Sequence, residues 1–86
     1  MNKQRRARLE NLKERLEEIL EQIDDIKSEL EEVKDEEQEA YDNLPESIQY
    51  SDRGCNMEEN ISDLEYAYDS EDLQEIIDYI DGVIER

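Results

Sequence analysis

Residues 9–33 read LENLKERLEEILEQIDDIKSELEEV, and within them Leu9, Leu12, Leu16, Ile19, Ile23, Ile26, Leu30 and Val33 follow one another at spacings of three and four without a miss. An α-helix turns once in about 3.6 residues, so this alternation lays the apolar side chains along one seam with a heptad repeat. The register continues through Glu37, Ala40 and Leu44, where a carboxylate and a small side chain weaken it. Leu20 and Tyr41 widen the apolar face on one side. Taken from about residue 2 to about residue 43, the helix is expected to be roughly 60 Å long at about 1.5 Å per residue. A helix far longer than the globular mean needs a partner along its length.

Beyond it, Pro45 disfavours helical geometry at Leu44, and Asn43 with Glu46 three residues later suggests a cap for a short new turn. Ser51-Asp52-Arg53-Gly54 combines a capping residue with one of only two glycines in the chain, which places the expected reversal there. A second seam, Met57, Ile61, Leu64 and Tyr68, is followed by a third, Leu73, Ile77, Ile80 and Ile84, with Ile76 and Val83 beside it. At about 100° per residue the third stripe is rotated by about 130° from the second. Either the chain breaks near Asp69 and Ser70, giving a third helix, or one return helix meets its own hairpin first and another subunit afterwards. Both arrangements remain open at this level. The expected fold is all-α: an antiparallel coiled-coil hairpin forming a single domain over 1–86, with a turn over about 45–54, return helix or helices over about 56–85, and assembly into a helical bundle.

Composition narrows the function. The chain has 86 residues, of which 35% are hydrophobic and 44% charged, and a net charge of −18. A chain this short buries only about 60% of its unfolded surface, so self-association is expected. Lys3, Arg5, Arg6, Arg8, Lys13 and Arg15 face only Glu10 and Glu14 within residues 1–15, a local charge of +4 that leaves −22 on the rest. In a simple hairpin this basic tip would come alongside Asp78, Asp81 and Glu85, favouring the antiparallel orientation. Direct nucleic-acid binding is disfavoured, because the acidic remainder repels the phosphate backbone. With no apolar run of the roughly 18 residues a membrane span needs, and no uninterrupted hydrophobic region after Met1 to Arg8, no membrane partner is expected. A lone cysteine, Cys55, excludes an intramolecular disulfide, so the expected setting is the cytoplasm.

Enzymatic chemistry lacks its usual parts. There is no histidine, which removes the commonest general base and the helical Glu-x-x-His metal ligands. Cys55 has no evident activating base. Between Asp52 and Asp63 a calcium-loop reading fails on the position of Gly54 and on Asp63 at the final ligand position. No phosphate-cradling glycine loop occurs, and neither catalytic, metal nor cofactor residues are assigned.

What remains is surface. Glu17, Glu18, Glu21, Asp24, Asp25, Glu29, Glu31, Glu32, Asp35, Glu36 and Glu39 on the long helix, with Asp63, Glu65 and Asp69 opposite, form a rod of carboxylates. Such a rod can imitate the phosphate array of a duplex and occupy the groove of a basic, nucleic-acid-binding protein. It can equally be the solvated outside of a coiled coil, although the like-charge neighbours cost helix stability. Tyr50, Tyr66 and Tyr79 fit the seams poorly and are candidates for an interface patch, whereas Tyr41 and Tyr68 fit the seam edges. Arg53 and the basic tip are the residues available for a small anionic ligand.

The segment Asp35-Glu36-Glu37-Gln38-Glu39-Ala40-Tyr41-Asp42-Asn43-Leu44-Pro45-Glu46-Ser47-Ile48-Gln49, followed by Ser51-Asp52-Arg53-Gly54 and Met57-Glu58-Glu59, resembles a family of short acidic helical-hairpin accessory proteins of phages and prophages of Gram-positive bacteria. The resemblance covers about residues 30 to 65; Tyr50 and the Cys55-Asn56 pair depart from the pattern. It implies a phage accessory protein in the host cytoplasm, acting as a stoichiometric inhibitor of a host enzyme or defence system; the acidic faces add the expectation of a nucleic-acid-handling target occluded by that surface. The alternative carried from the residues alone is a self-assembling coiled-coil scaffold.

Overall fold

The computed structural model describes residues 2–86; Met1, the first residue of the expected domain, lies outside them. The chain is all-helical, in the order α1 (Lys3–Asp42), α2 (Glu46–Gln49), α3 (Asp52–Asp69) and α4 (Leu73–Glu85). Asn2 caps α1, its Oδ1 accepting from the Arg5 amide at 2.9 Å, so the long helix spans nearly the stretch the heptads predict. α3 runs back along the second half of α1, and α4 folds back in turn against α3. The choice the sequence leaves open is therefore settled by a break after Asp69. Ser70 ends α3 in extended conformation, and Asp72 caps α4 by accepting from the Gln74 and Glu75 amides at 2.9 and 3.3 Å. Turning the chain here lets the rotated stripe of α4 face the same core as α3, which a straight helix could not do.

The reversal between α1 and α3 differs from the expectation in two respects. Asn43 closes α1 through its backbone amide, bonded to the Glu39 carbonyl, and supplies no side-chain cap for α2; the Pro45 carbonyl instead accepts from Ile48 and Gln49. Gly54 is not at the bend but inside the first turn of α3, where it is buried. A Cβ at that position would lie 2.0 Å from the Gln49 carbonyl oxygen, so glycine is used here for backbone approach between α2 and α3. The Gln49 side chain donates to the Tyr41 and Leu44 carbonyls at 3.2 and 3.3 Å and closes the end of α1.

The core is thin. Leu30 of α1, Leu64 and Ala67 of α3 and Ile76 of α4 form one buried cluster, flanked by Tyr79, Ile80 and Val83; Met57 is buried nearer the turn. On α4 the stripe that packs inward is thus Ile76, Tyr79, Ile80 and Val83, whereas Leu73, Ile77 and Ile84 of the expected seam stand 52%, 50% and 74% exposed. Tyr79 stacks on Tyr66 across α3 and α4, with centroids 5.7 Å apart and planes at 28°, a contact typically contributing about 0.5–1.5 kcal/mol.

A polar cluster fixes the register of the three helices. Glu37, the carboxylate in the α1 seam, accepts from Asn60 Nδ2 at 3.1 Å, and Asn60 Oδ1 accepts from Arg86 Nη1 at 3.2 Å. Arg86 also pairs with Asp63 at 2.6 Å and Glu59 at 3.0 Å. The side chain that weakens the seam as an apolar repeat therefore sets its alignment.

Nearer the turn the Tyr41 hydroxyl donates to the Glu58 carboxylate. That bond, with some desolvation and the Glu58 charge, holds the phenol protonated and pushes its pKa up to about 12. An unfolded tyrosine titrates near 10, so the bond's contribution is complete below about pH 10 and is lost as pH rises through the folded value. Tyrosinate absorbance should show a late component that Tyr41→Phe removes; a variant-minus-wild-type difference titrating near pH 10 contradicts this.

Candidate functional site

The three-helix body uses only the second half of α1. α4 begins beside Leu20, Ile23 and Lys27 and ends at Arg86 beside Glu59 and Asp63, so the body is level with about residues 23–42 of α1. Every described residue from Asn2 to Gln22 is exposed. The first half of α1 is therefore a free arm of roughly 20 residues, about 30 Å long. The molecule measures 68 × 18 × 15 Å, with a radius of gyration of 18.8 Å against about 12 Å for a compact chain of this length.

The heptad seam divides accordingly. On the arm, Leu9, Leu12, Leu16 and Ile19 are 46–65% exposed and face no other helix. In the body, one row of the seam packs inward through Ile23, Leu30, Glu37 and Leu44, while Ile26 and Val33 of the other row are each 48% exposed. Ile26 borders the open row of α4. Together Ile23, Ile26, Leu73, Ile76, Ile77 and Ile80, with the stem of Lys27, line an apolar groove of about 310 Å³ between α1 and α4. Ile23 and Ile26 of the groove follow Leu16 and Ile19 in the α1 seam, so the exposed seam of the arm leads into the groove.

The basic tip does not reach Asp78, Asp81 and Glu85 within the chain, contrary to the simple-hairpin expectation, because α4 turns back toward the bend. Its basic side chains form one ion pair among the described residues, Lys13 with Glu17 at 3.9 Å. The sequence-selected carboxylates Glu17, Glu18, Glu21, Asp24, Asp25, Glu29, Glu31, Glu32, Asp35, Glu36 and Glu39 are all exposed along α1, and only Glu17 has a cationic partner. Asp63 is instead occupied by Arg86. Tyr66 and Tyr79 are brought together, whereas Tyr50 stands apart at 79% exposure. Arg53 is exposed near the bend, and the crevices between Arg8, Leu12 and Arg15 are gaps between side chains of one helix. Among the described residues no group of three or more Cys, Asp or Glu is placed to hold a metal ion, and no helix is long and apolar enough to cross a membrane.

The sequence shows the seam and its need for a partner, but not which part of it the return helices leave open. The signal that some part stays open was present: α1 carries heptads over a span longer than either return helix can cover. No family model matches the chain, and no match was found among curated proteins or solved structures.

Proposed function

We propose that this chain is a non-enzymatic protein-interaction module whose working surface is the apolar strip of α1, bordered by its carboxylates. The observation that carries the reading is the free arm. Leu9, Leu12, Leu16 and Ile19 keep a regular coiled-coil seam with no helix across it. Burying a Leu or Ile side chain is worth about 1.5–3 kcal/mol, so a seam left in water represents a large unused contribution that a helical partner would realise.

The exposed, mostly unpaired carboxylates of α1 favour a basic protein as the target. In that form the module is an inhibitor that occludes a host nucleic-acid-handling or defence protein in the cytoplasm, as the resemblance to phage accessory proteins and the acidic faces together imply, with Glu29, Glu32, Asp35, Glu36 and Glu39 taking the place of phosphates. The same strip supports the alternative of a self-assembling scaffold. A small anionic ligand at Arg53 has less support, because nothing encloses that guanidinium.

Binding of a captured basic protein is expected to fall more than about tenfold in Leu12→Asp/Leu16→Asp, and to lose its salt dependence when the five carboxylates are made Gln or Asn. Equal capture by the wild type and the leucine variant, both helical by circular dichroism, sinks the reading.

A further inference from the structure

We infer that the occupant of the strip is a second copy of this chain, docked antiparallel so that the arm of each protomer lies in the α1–α4 groove of the other. The proposal rests on the interaction-module reading and takes its self-assembling form, with a second copy in place of a basic target on the same strip. Three independent observations carry it.

The first is length. The arm covers roughly 20 residues of α1 and the body is level with the next 20 or so, each about 30 Å. With a two-fold axis near residue 22, each arm spans one body and leaves no overhang. The cross-section becomes four helices throughout, three from one protomer and an arm from the other, the arrangement in which a bundle closes its core. The open rows fit this: Ile26 of α1 and Leu73 and Ile77 of α4 line the groove, and Val33 and Ile84 are exposed on the same two helices.

The second is charge. The last turns of α4 expose Asp81 and Glu85, and Asp78 meets only Gln74 at 3.0 Å. These carboxylates adjoin the open apolar row of α4, while Glu29 and Glu36 adjoin the open row of α1. With the axis near residue 22, residue n of one α1 is level with about residue 44 − n of the other, so antiparallel docking sets the partner's Arg8 and Arg15 level with Glu36 and Glu29, and Lys13 and Arg15 near the level of Asp81. Parallel docking would instead set two arms of +4 side by side and leave both grooves empty.

The third is area. The accessible surface is 7019 Å², against about 5,400 Å² for a compact monomer of the same mass. An excess of about 1,600 Å² per protomer, removed from both, corresponds to a homodimer interface of about 3,000 Å², within the range of obligate dimers.

Sedimentation equilibrium of the full chain, at concentrations up to about 100 μM, is expected to give twice 10.3 kDa. Arg8→Glu/Arg15→Glu, and separately Glu29→Lys/Glu36→Lys, should each weaken self-association at least about tenfold. Mixing the two variants should restore a heterodimer, because both inter-chain charge matches return. Nitroxides placed by Asn11→Cys in a Cys55→Ser background should lie about 35 Å apart in the antiparallel dimer and about 10–15 Å apart in a parallel one. A monomer throughout the range, the short distance, or a mixture no tighter than either variant overturns the proposal. A monomeric wild type whose capture of a different protein still depends on Leu12 and Leu16 removes only the second copy. Independence of both self-association and capture from those leucines removes the interaction module as well.

Discussion

Gly54→Ala should destabilise the protein by about 2 kcal/mol, although the same change in an exposed helix stabilises by about 1 kcal/mol. Gly54 lies in α3 with no left-handed backbone to protect, so helix propensity alone favours alanine. Packing reverses the sign. The added carbon would meet the Gln49 carbonyl oxygen at 2.0 Å, its carbon at 2.5 Å and the Gln49 Cα at 2.7 Å. Backbone atoms cannot rotate away, so α2 and the start of α3 must part, disturbing the Gln49 bonds that close the end of α1. Gly82 supplies the control. Its added carbon would lie 3.4 Å from a side-chain oxygen of Asp63, and Gly82→Ala should be neutral or stabilise by up to about 1 kcal/mol. Urea melts of both variants test the argument, which fails if the two substitutions move the midpoint in the same direction by similar amounts.

Leu64→Ala is expected to cost about 3 kcal/mol, within the usual range for a buried leucine. Leu64 is 4% exposed and belongs to the cluster with Leu30, Ala67 and Ile76 that joins α1, α3 and α4. With so few buried side chains, no neighbouring layer can absorb the loss. A chain of this length has about 4–13 kcal/mol of stability in total, so the substitution removes a large fraction of it. Tyr50→Ala, at a residue 79% exposed, should change stability by less than about 0.5 kcal/mol. A Leu64→Ala melt indistinguishable from that of Tyr50→Ala would mean that the three helices are not held by this cluster.

In the proposed function, stability and interaction draw on different parts of one heptad repeat. The body holds itself together with Leu30 and the return helices, and the arm takes no part in that core. Changes at Leu12 or Leu16 should therefore leave the body's packing alone. That separation makes the functional tests interpretable, because loss of binding need not mean loss of fold.

The heptads from Leu9 to Val33 determined by themselves that α1 is one long helix, since a spacing of three and four has no other regular solution at about 3.6 residues per turn. Pro45 likewise marked its end, through a steric restriction on the preceding residue that is local. The rotation between the stripes of α3 and α4 showed that one straight helix could not bury both, but two arrangements satisfied it. Only the tertiary structure chose the break at Ser70, because the choice depends on Ile76 meeting Leu30 and Leu64 across three helices. The role of Gly54 was hidden for a similar reason: a glycine beside a serine and an aspartate reads as a turn, and its use for close approach depends on where Gln49 sits. The acidic candidates on α1 were legible as exposed because charged side chains outside a seam remain in water. The open groove was not, since which rows of α1 and α4 remain uncovered is decided by how three helices pack, and no single helix records that.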